Sequence, residues 1–418
     1  MKIDSNIKKI SIAYGIQILV LIIISLFNPL NMYTVSAYTY FLIIVCTISF
    51  LIAFNKISKH IIKSKQDFNQ IENKKLISLD KLLKSKILLV SIIIILIIVI
   101  YYLTKYNIII KDMSKLDIRM VRFNQLFDSS LEALFFNYII AGFMYILSII
   151  FSVLLTNKKI KNPIFILSTI TIALYSLIGY SRMIYLNIVI YIFINILLKP
   201  NLKELINVKN IIKIILIGFA VVVILFGMLY ARICKSSAPI KDNISKTLKN
   251  QTEQIIEYSV GSFRLLDYFI KNGFENFPRK YTYGQATLAG IEEIILYPIK
   301  GIGVEIDSFN NIIGEYTQKS IKIGAETNFN AFYTCVMNFY LDYGLIGVIL
   351  FPILHSILII FSLKQYYLKK DIFSFMLLNF VLLNLFFSII RWNYQSGTSV
   401  FVLVVLVGMN WWKNNTRK

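Results

Sequence analysis

The feature that most constrains this chain is its division into apolar blocks of about twenty residues, the length at which a helix crosses a hydrocarbon core of about 30 Å. Ten such blocks can be read, at 10–27, 35–54, 87–104, 133–155, 164–180, 183–198, 214–231, 343–363, 372–390 and 398–412. Lipid offers backbone amides no partners, so blocks of this kind form helices. No alternating segments of about ten residues mark an outer-membrane barrel. Only 16% of the residues are charged, against roughly a quarter in soluble proteins. The expected fold class is therefore all-α, a polytopic integral membrane protein of about ten transmembrane helices. The first block follows Lys2, Lys8 and Lys9 and resembles a signal peptide in charge. It is long, lacks a small-residue cleavage site and precedes nine more blocks, which makes it a retained first helix.

Lysine and arginine in the loops set the orientation. With the N-terminus cytoplasmic, the inside segments carry 25 of the 44 Lys and Arg and six acids, and the outside segments 19 and 16. Both termini are therefore expected in the cytoplasm, and the net charge of +22 reports topology and anionic lipid rather than nucleic acid. The run "KISKHIIKSKQ" reads as a juxtamembrane basic loop. Cys46, Cys234 and Cys335 define no framework, although Cys234 and Cys335 both fall outside and a pairing between them stays open. His60 falls in the basic inner loop and His355 in the inner half of the eighth block, so no histidine is expected at the outer face.

Most loops are short, but 105–132 and above all 232–342 are not. The chain reads as one membrane domain, 1–418, with 232–342 as a large extracytoplasmic loop between the seventh and eighth helices. "IIEYSVGSFRLLDYFIKNG" carries a helical repeat that ends at Gly273, and "QATLAGIEEIILYPI" a second short helix closed by Pro298. "GFENFPRKYTYG" between them reads as a turn-rich connector.

No Walker loop, dinucleotide fingerprint, zinc spacing or nucleophile elbow is present. No cytoplasmic segment is large enough to bind a nucleotide. A reaction here needs a substrate that arrives activated, and outside the cell that points to a lipid-linked one. Arg119, Arg122, Arg182, Arg232, Arg264, Arg279 and Arg391 all fall outside, whereas the inner segments use lysine almost throughout. Lysine suffices for positive-inside electrostatics, and the guanidinium fork suits phosphate. The apolar run Ile164–Leu198, interrupted by one full charge at Arg182, would be about 52 Å long as a helix, too long for one crossing. It is expected to fold as two short helices around "GYSR", which brings Arg182 to the outer interface. There it is a phosphate contact or an arginine snorkelling to headgroups. Arg391, in "FFSIIRWNYQSGTSVF", repeats the pattern beside the interface residues Trp392 and Tyr394. The outer carboxylates Asp267, Glu326 and Asp342 are candidates to take a proton from a hydroxyl, or to cap helices and pair with arginine.

The stretches "EYSVGSF…DYF", "YTYGQATLAGI", "NFNAFYT" and "NFYLDYGLIGV", between Tyr258 and Gly347, resemble the bacterial O-antigen and capsule repeat-unit polymerases of the Wzy type. The layout of spans around one large outer loop is similar too. The resemblance implies the membrane glycosyltransferase fold shared with the O-antigen ligases. It implies an inverting, metal-independent transfer of a glycan from undecaprenyl pyrophosphate to the non-reducing end of another lipid-linked unit. The site would be extracytoplasmic, on the bacterial cytoplasmic membrane, with no cofactor. Membrane lipid, a chain-length regulator and a flippase are implied as partners. By the same resemblance Arg182 and Arg264 stabilise the departing pyrophosphate, with Glu326 and Asp342 as the other catalytic candidates. Arg279, by position, joins Arg391, Arg119, Arg122, Asp267, Tyr283 and Asn330 as substrate-binding. Two other readings stand beside polymerase. A flippase or exporter of lipid-linked oligosaccharide should show two similar halves, and an O-antigen ligase is associated with an outer-face histidine.

Overall fold

The computed structural model describes residues 2–62, 85–111, 125–178, 182–199, 240–301, 304, 306–325, 327–329 and 333–415. The seventh expected span, together with Arg119, Arg122, Arg232, Cys234, Glu326 and Asn330, lies outside them. The described chain is helical apart from one two-stranded hairpin. Five helices are long and apolar enough to cross a membrane: Asp4–Phe27, Ala37–His60, Lys86–Ile110, Ser130–Thr156 and Cys335–Lys369. Pro163–Leu177, Met183–Leu197, Ile372–Phe387 and Gly397–Trp411 are apolar but shorter. A 15-residue helix is about 22 Å long.

The chain divides into two compact units, residues 1–75 with 252–418 and residues 76–251. The second unit holds α3 (Lys86–Ile110), α4 (Ser130–Thr156), α5 (Pro163–Leu177) and α6 (Met183–Leu197). Its helix starts are written in the sequence. Ser85 and Ser129 accept from the amides of Leu88 and Glu132, and Asn162 from that of Ile164, just before Pro163 at the first helical position. Within α4, Phe135–Ile140 is wound as a π-helix. α4 packs on both α5 and α6, and α5 on α3. Asn195 Nδ2 donates to Ser152 Oγ at 2.9 Å between α6 and α4. Lys105 meets Asp128 at 2.8 Å and Glu132 at 3.2 Å. The exposed face of α3 is as apolar as its buried one: Ile93, Ile94, Ile97 and Ile100 face outward while Ile92, Ile95 and Val99 are buried. A helix with two apolar faces suits lipid on one side and protein on the other.

The first unit holds α1 (Lys2–Phe27), α2 (Ala37–Ile62), α7 (Ile240–Asn272, from Thr252 on), α8 (Ala289–Gly301) and α9 (Phe309–Thr317). There follow β1 (Ile321–Lys322), β2 (Asn328–Phe329), α10 (Cys335–Lys369), α11 (Ile372–Phe387) and α12 (Gly397–Asn415). α10 packs along α2 and beside α11, and α12 packs on α8 and α11. α11 is buried from Met376 to Phe387 on every face and forms the centre of the unit. Tyr14 and Gln17 of α1 reach its far end, at Ser388 Oγ and Phe386 O. β1 pairs antiparallel with β2, Ile321 opposite Phe329. The hairpin also takes in the α1–α2 connector, where Tyr33 N donates to Ile323 O at 2.7 Å.

The expected helix ending at Gly273 is present and begins earlier, at Ile240. Pro298 does not end α8, which runs on to Gly301 with the proline inside it. A proline removes one amide donor, and the residues after it remain free to continue the helix.

Candidate functional site

The polar residues that the sequence offered from the first unit fall where helix ends, turns and a helix break meet. α7 supplies two of the residues expected in the site, Arg264 and Asp267, and each holds a helix terminus. Arg264 is buried. Its Nη1 donates to Ser25 Oγ at 3.2 Å and Val260 O at 3.0 Å, and its Nη2 to Ser25 O and Asn28 Oδ1, both at 3.1 Å. The cation therefore lies on the unpaired carbonyl end of α1, where the helix dipole favours it. Burial lowers its pKa from the ordinary guanidinium value, against the opposing pull of Tyr40 and Asp267.

One turn further along, Asp267 Oδ1 accepts from Ser36 N at 2.9 Å, from Thr39 Oγ1 at 2.7 Å and from Ser36 Oγ. Its Oδ2 accepts from Lys271 Nζ at 2.6 Å. This carboxylate sits on the amide end of α2, again the favoured sign. Burial by itself would raise its pKa, but the donations from Lys271, Ser36 and Thr39 outweigh that and hold it below the ordinary value. Arg264 and Asp267 thus clamp both ends of the α1–α2 connector.

The segments that carry the family resemblance meet at Asp342, which is fully buried. Its Oδ1 accepts from Thr282 Oγ1 at 2.5 Å and Ala286 N at 2.9 Å, and its Oδ2 from Thr287 N at 2.9 Å. The backbone repeats the join, with Thr282 N on Leu341 O and Tyr283 N on Asp342 O. Immediately afterwards α10 is broken. Tyr343 leaves the helical region and Gly344 takes φ +58°, ψ −139°, a conformation essentially reserved for glycine. At Gly347 a Cβ would stand 2.0 Å from Phe339 O, so the helix can restart only over a residue without a side chain. The motif Tyr340-x-Asp342-Tyr343-Gly344-x-x-Gly347 is therefore a helix break anchored on a turn.

A third segment closes on the same place. Trp392 Nε1 donates to Thr287 O at 2.8 Å, and Asn338 Nδ2 donates to Ala286 O and Gln395 Oε1. Glu293 Oε2 accepts from Gly397 N and from Asn310 Nδ2. Trp392 and Tyr394 are buried, where their sequence context pointed to interface residues. The turn between α11 and α12 reaches in among the helices instead of lying across their ends. His355 lies beside that turn. Its ring stands 5.3 Å from Trp392, 5.8 Å from Tyr394 and 6.3 Å from Phe50. Its buried Nε2 has no hydrogen-bond partner among the described residues.

The remaining candidates are more open. Arg279 is exposed and donates to Gln285 Oε1 at 3.1 Å. Tyr283 is exposed with its ring against Tyr343. Arg391 is half-buried, its amide closing on Phe387 O at 2.7 Å. Arg182 belongs to the other unit. It is half-buried and precedes α6 directly, its carbonyl accepting from Tyr185 N at 3.2 Å. A cation at the positive end of a helix dipole gives that helix no support, so capping does not explain it. Cys335 is buried and free, next to Cys46.

Thr282, Thr287, Asn338 and Glu293 organise the site and were not singled out in the sequence. The one signal for them is polarity inside otherwise apolar runs. No group of three or more His, Cys, Asp or Glu lies together among the described residues. Fold and side chains define an all-helical protein whose longest helices suit a membrane and whose candidate polar residues hold helix ends and a helix break. Compared with known proteins, the chain matches no family model, no curated protein and no solved structure.

Proposed function

We propose that this protein is a polymerase of lipid-linked oligosaccharide repeat units, acting at the outer face of the bacterial cytoplasmic membrane. The observation that carries the reading is the convergence on one carboxylate. "YTYGQATLAGI" and "NFYLDYGLIGV", some sixty residues apart, are the stretches that resemble repeat-unit polymerases, and they are hydrogen-bonded to each other through Asp342. In the proposed reaction a hydroxyl of the acceptor unit attacks the anomeric carbon of the donor. The bond to the pyrophosphate oxygen breaks, the polyprenyl pyrophosphate leaves, and the hydroxyl proton passes to a base. Arg182, adding a guanidinium to a helix N-terminus, has the electrostatics of an anion contact and is assigned to the leaving pyrophosphate. Asp342, Asp267 and Arg264 are assigned to holding the first unit together, because their bonds fix the ends of α1 and α2 and the break in α10. The test is complementation of a deletion strain. Arg182→Ala at normal protein level should export single repeat units and no long chains. Normal chain lengths would refute the assignment.

A ligase is the second reading, favoured by His355 beside Trp392 and Tyr394. It predicts that the deletion strain still makes long lipid-linked chains but does not transfer them to their final acceptor. Lipid-linked units trapped on the inner leaflet would instead mark a flippase.

A further inference from the structure

Tyr283 is 68% exposed yet holds φ +50°, and no packing of its ring accounts for that. A left-handed backbone costs a side chain such as tyrosine about 1–2 kcal/mol, and glycine or asparagine is the ordinary occupant. The strain is fixed by the join to α10, through Tyr283 N on Asp342 O and Thr282 N on Leu341 O. Tyr343, 38% exposed, projects from the break on the other side of the same aspartate. The two rings stand 6.0 Å apart at 73°. The backbone of each is thus fixed beside one fully buried carboxylate, Tyr283 in a turn and Tyr343 at the break in α10. Tyrosine offers large, amphipathic contact area at low entropic cost. The connector that carries Tyr283 also holds Gln285, whose amide accepts from Arg279, and Lys280, which stands 5.6 Å over the Tyr281 ring. Neither Arg279 nor Lys280 has an ion pair among the described residues.

We propose that Tyr283 and Tyr343, flanked by Arg279, Lys280 and Gln285, form a binding platform for a glycan strand that carries negative charge. The rings take the apolar face of a sugar, the amide its hydroxyls, and the cations a carboxylate on it. The inference rests on the reading of this protein as acting on lipid-linked oligosaccharide. It assigns Arg279, expected by position to bind substrate, to the saccharide.

The test uses the full chain in nanodiscs, with tetragalacturonate, maltotetraose and inorganic pyrophosphate as probes and saturation-transfer NMR as readout. Tyr283→Asn removes the ring while suiting the left-handed backbone, so it should melt no lower than the parent. It should weaken tetragalacturonate binding by about tenfold, the range of an aromatic anchor, and Tyr283→Trp should restore it. Arg279→Gln should weaken binding and flatten its salt dependence. Maltotetraose should bind more weakly than the acidic probe, and pyrophosphate should not displace it. No tetragalacturonate binding, or equal binding by Tyr283→Asn, overturns the platform. Displacement by pyrophosphate at similar concentration makes the patch a phosphate site and also overturns it. Looser association with anionic lipid while glycan binding stays intact would mark the tyrosines as interface anchors. Failure of the polymerase reading is seen separately, as normal chain length in cells carrying Arg182→Ala.

Discussion

Replacing Asp342 by asparagine separates a structural carboxylate from a chemical one. The aspartate accepts three donors in a fully buried site, and an amide keeps one accepting oxygen. The best orientation leaves that oxygen on Thr282 and Ala286 and turns the NH2 group toward the Thr287 amide. One charge-assisted bond is lost, about 1.5–3 kcal/mol, and a buried donor then faces a donor, about 1–3 kcal/mol more. A total of about 2.5–6 kcal/mol corresponds to a fall of roughly 5–24 °C in the melting midpoint of a unit of this size. Thr282→Val, which removes a single partner, should cost less, and the double variant should cost less than the sum because the two share one bond. The assay is thermal unfolding of purified full-length variants, followed by size-exclusion fluorescence, beside chain length in cells. Lost polymer should track lost protein. An Asp342→Asn protein that melts like the parent and makes no polymer would refute the argument and return Asp342 to the reaction.

Two further outcomes follow from the clamp on the α1–α2 connector. Arg264→Lys keeps the charge but not the fork that spans Ser25 and Asn28. It should destabilise by about 2–4 kcal/mol and raise amide exchange over residues 25–36, and unchanged protection would contradict the clamp. Asp267 has its carboxyl pKa depressed, so its contribution is complete above the unfolded value of about 3.9. It is lost as pH falls through the lower folded value. Melting midpoints should stay level down to about pH 4 and drop below it, and Asp267→Asn should start lower and show less of that drop. A decline already at pH 5–6, or an identical profile in the variant, would count against it.

The helices were legible because lipid forces apolar blocks of fixed length. Nine of the ten expected spans coincide with apolar helices, and the tenth lies outside the described residues. Gly273, and the turn-rich stretch after it, were legible as local chemistry. The partners of Arg264 and Asp267 were not, since Ser25 and Ser36 lie 239 and 231 residues away and no local pattern encodes a helix end held from outside. The sequence offered Arg264 as a pyrophosphate contact and Asp267 as a proton acceptor or a helix cap, and the second of the Asp267 readings is the one its bonds to Ser36 and Thr39 match. The neighbours of His355 were not legible either, because counting along a span assumes that loops stay at the ends of helices. The α11–α12 turn does not, and carries Trp392 and Tyr394 to the histidine.

The clamp also sets an order of assembly. α1 and α2 leave the ribosome first, with free carbonyls at Ser25 and free amides at Ser36, and the residues that satisfy them are made only after the whole of the second unit. At about 5–20 residues per second, a separation of 239 residues is a wait of roughly 12 to 48 seconds. For that time the first hairpin is an unfinished piece whose polar connector needs water, headgroups or a chaperone. A chain that terminates inside the second unit leaves it so permanently, which makes such truncations ready substrates for membrane quality control.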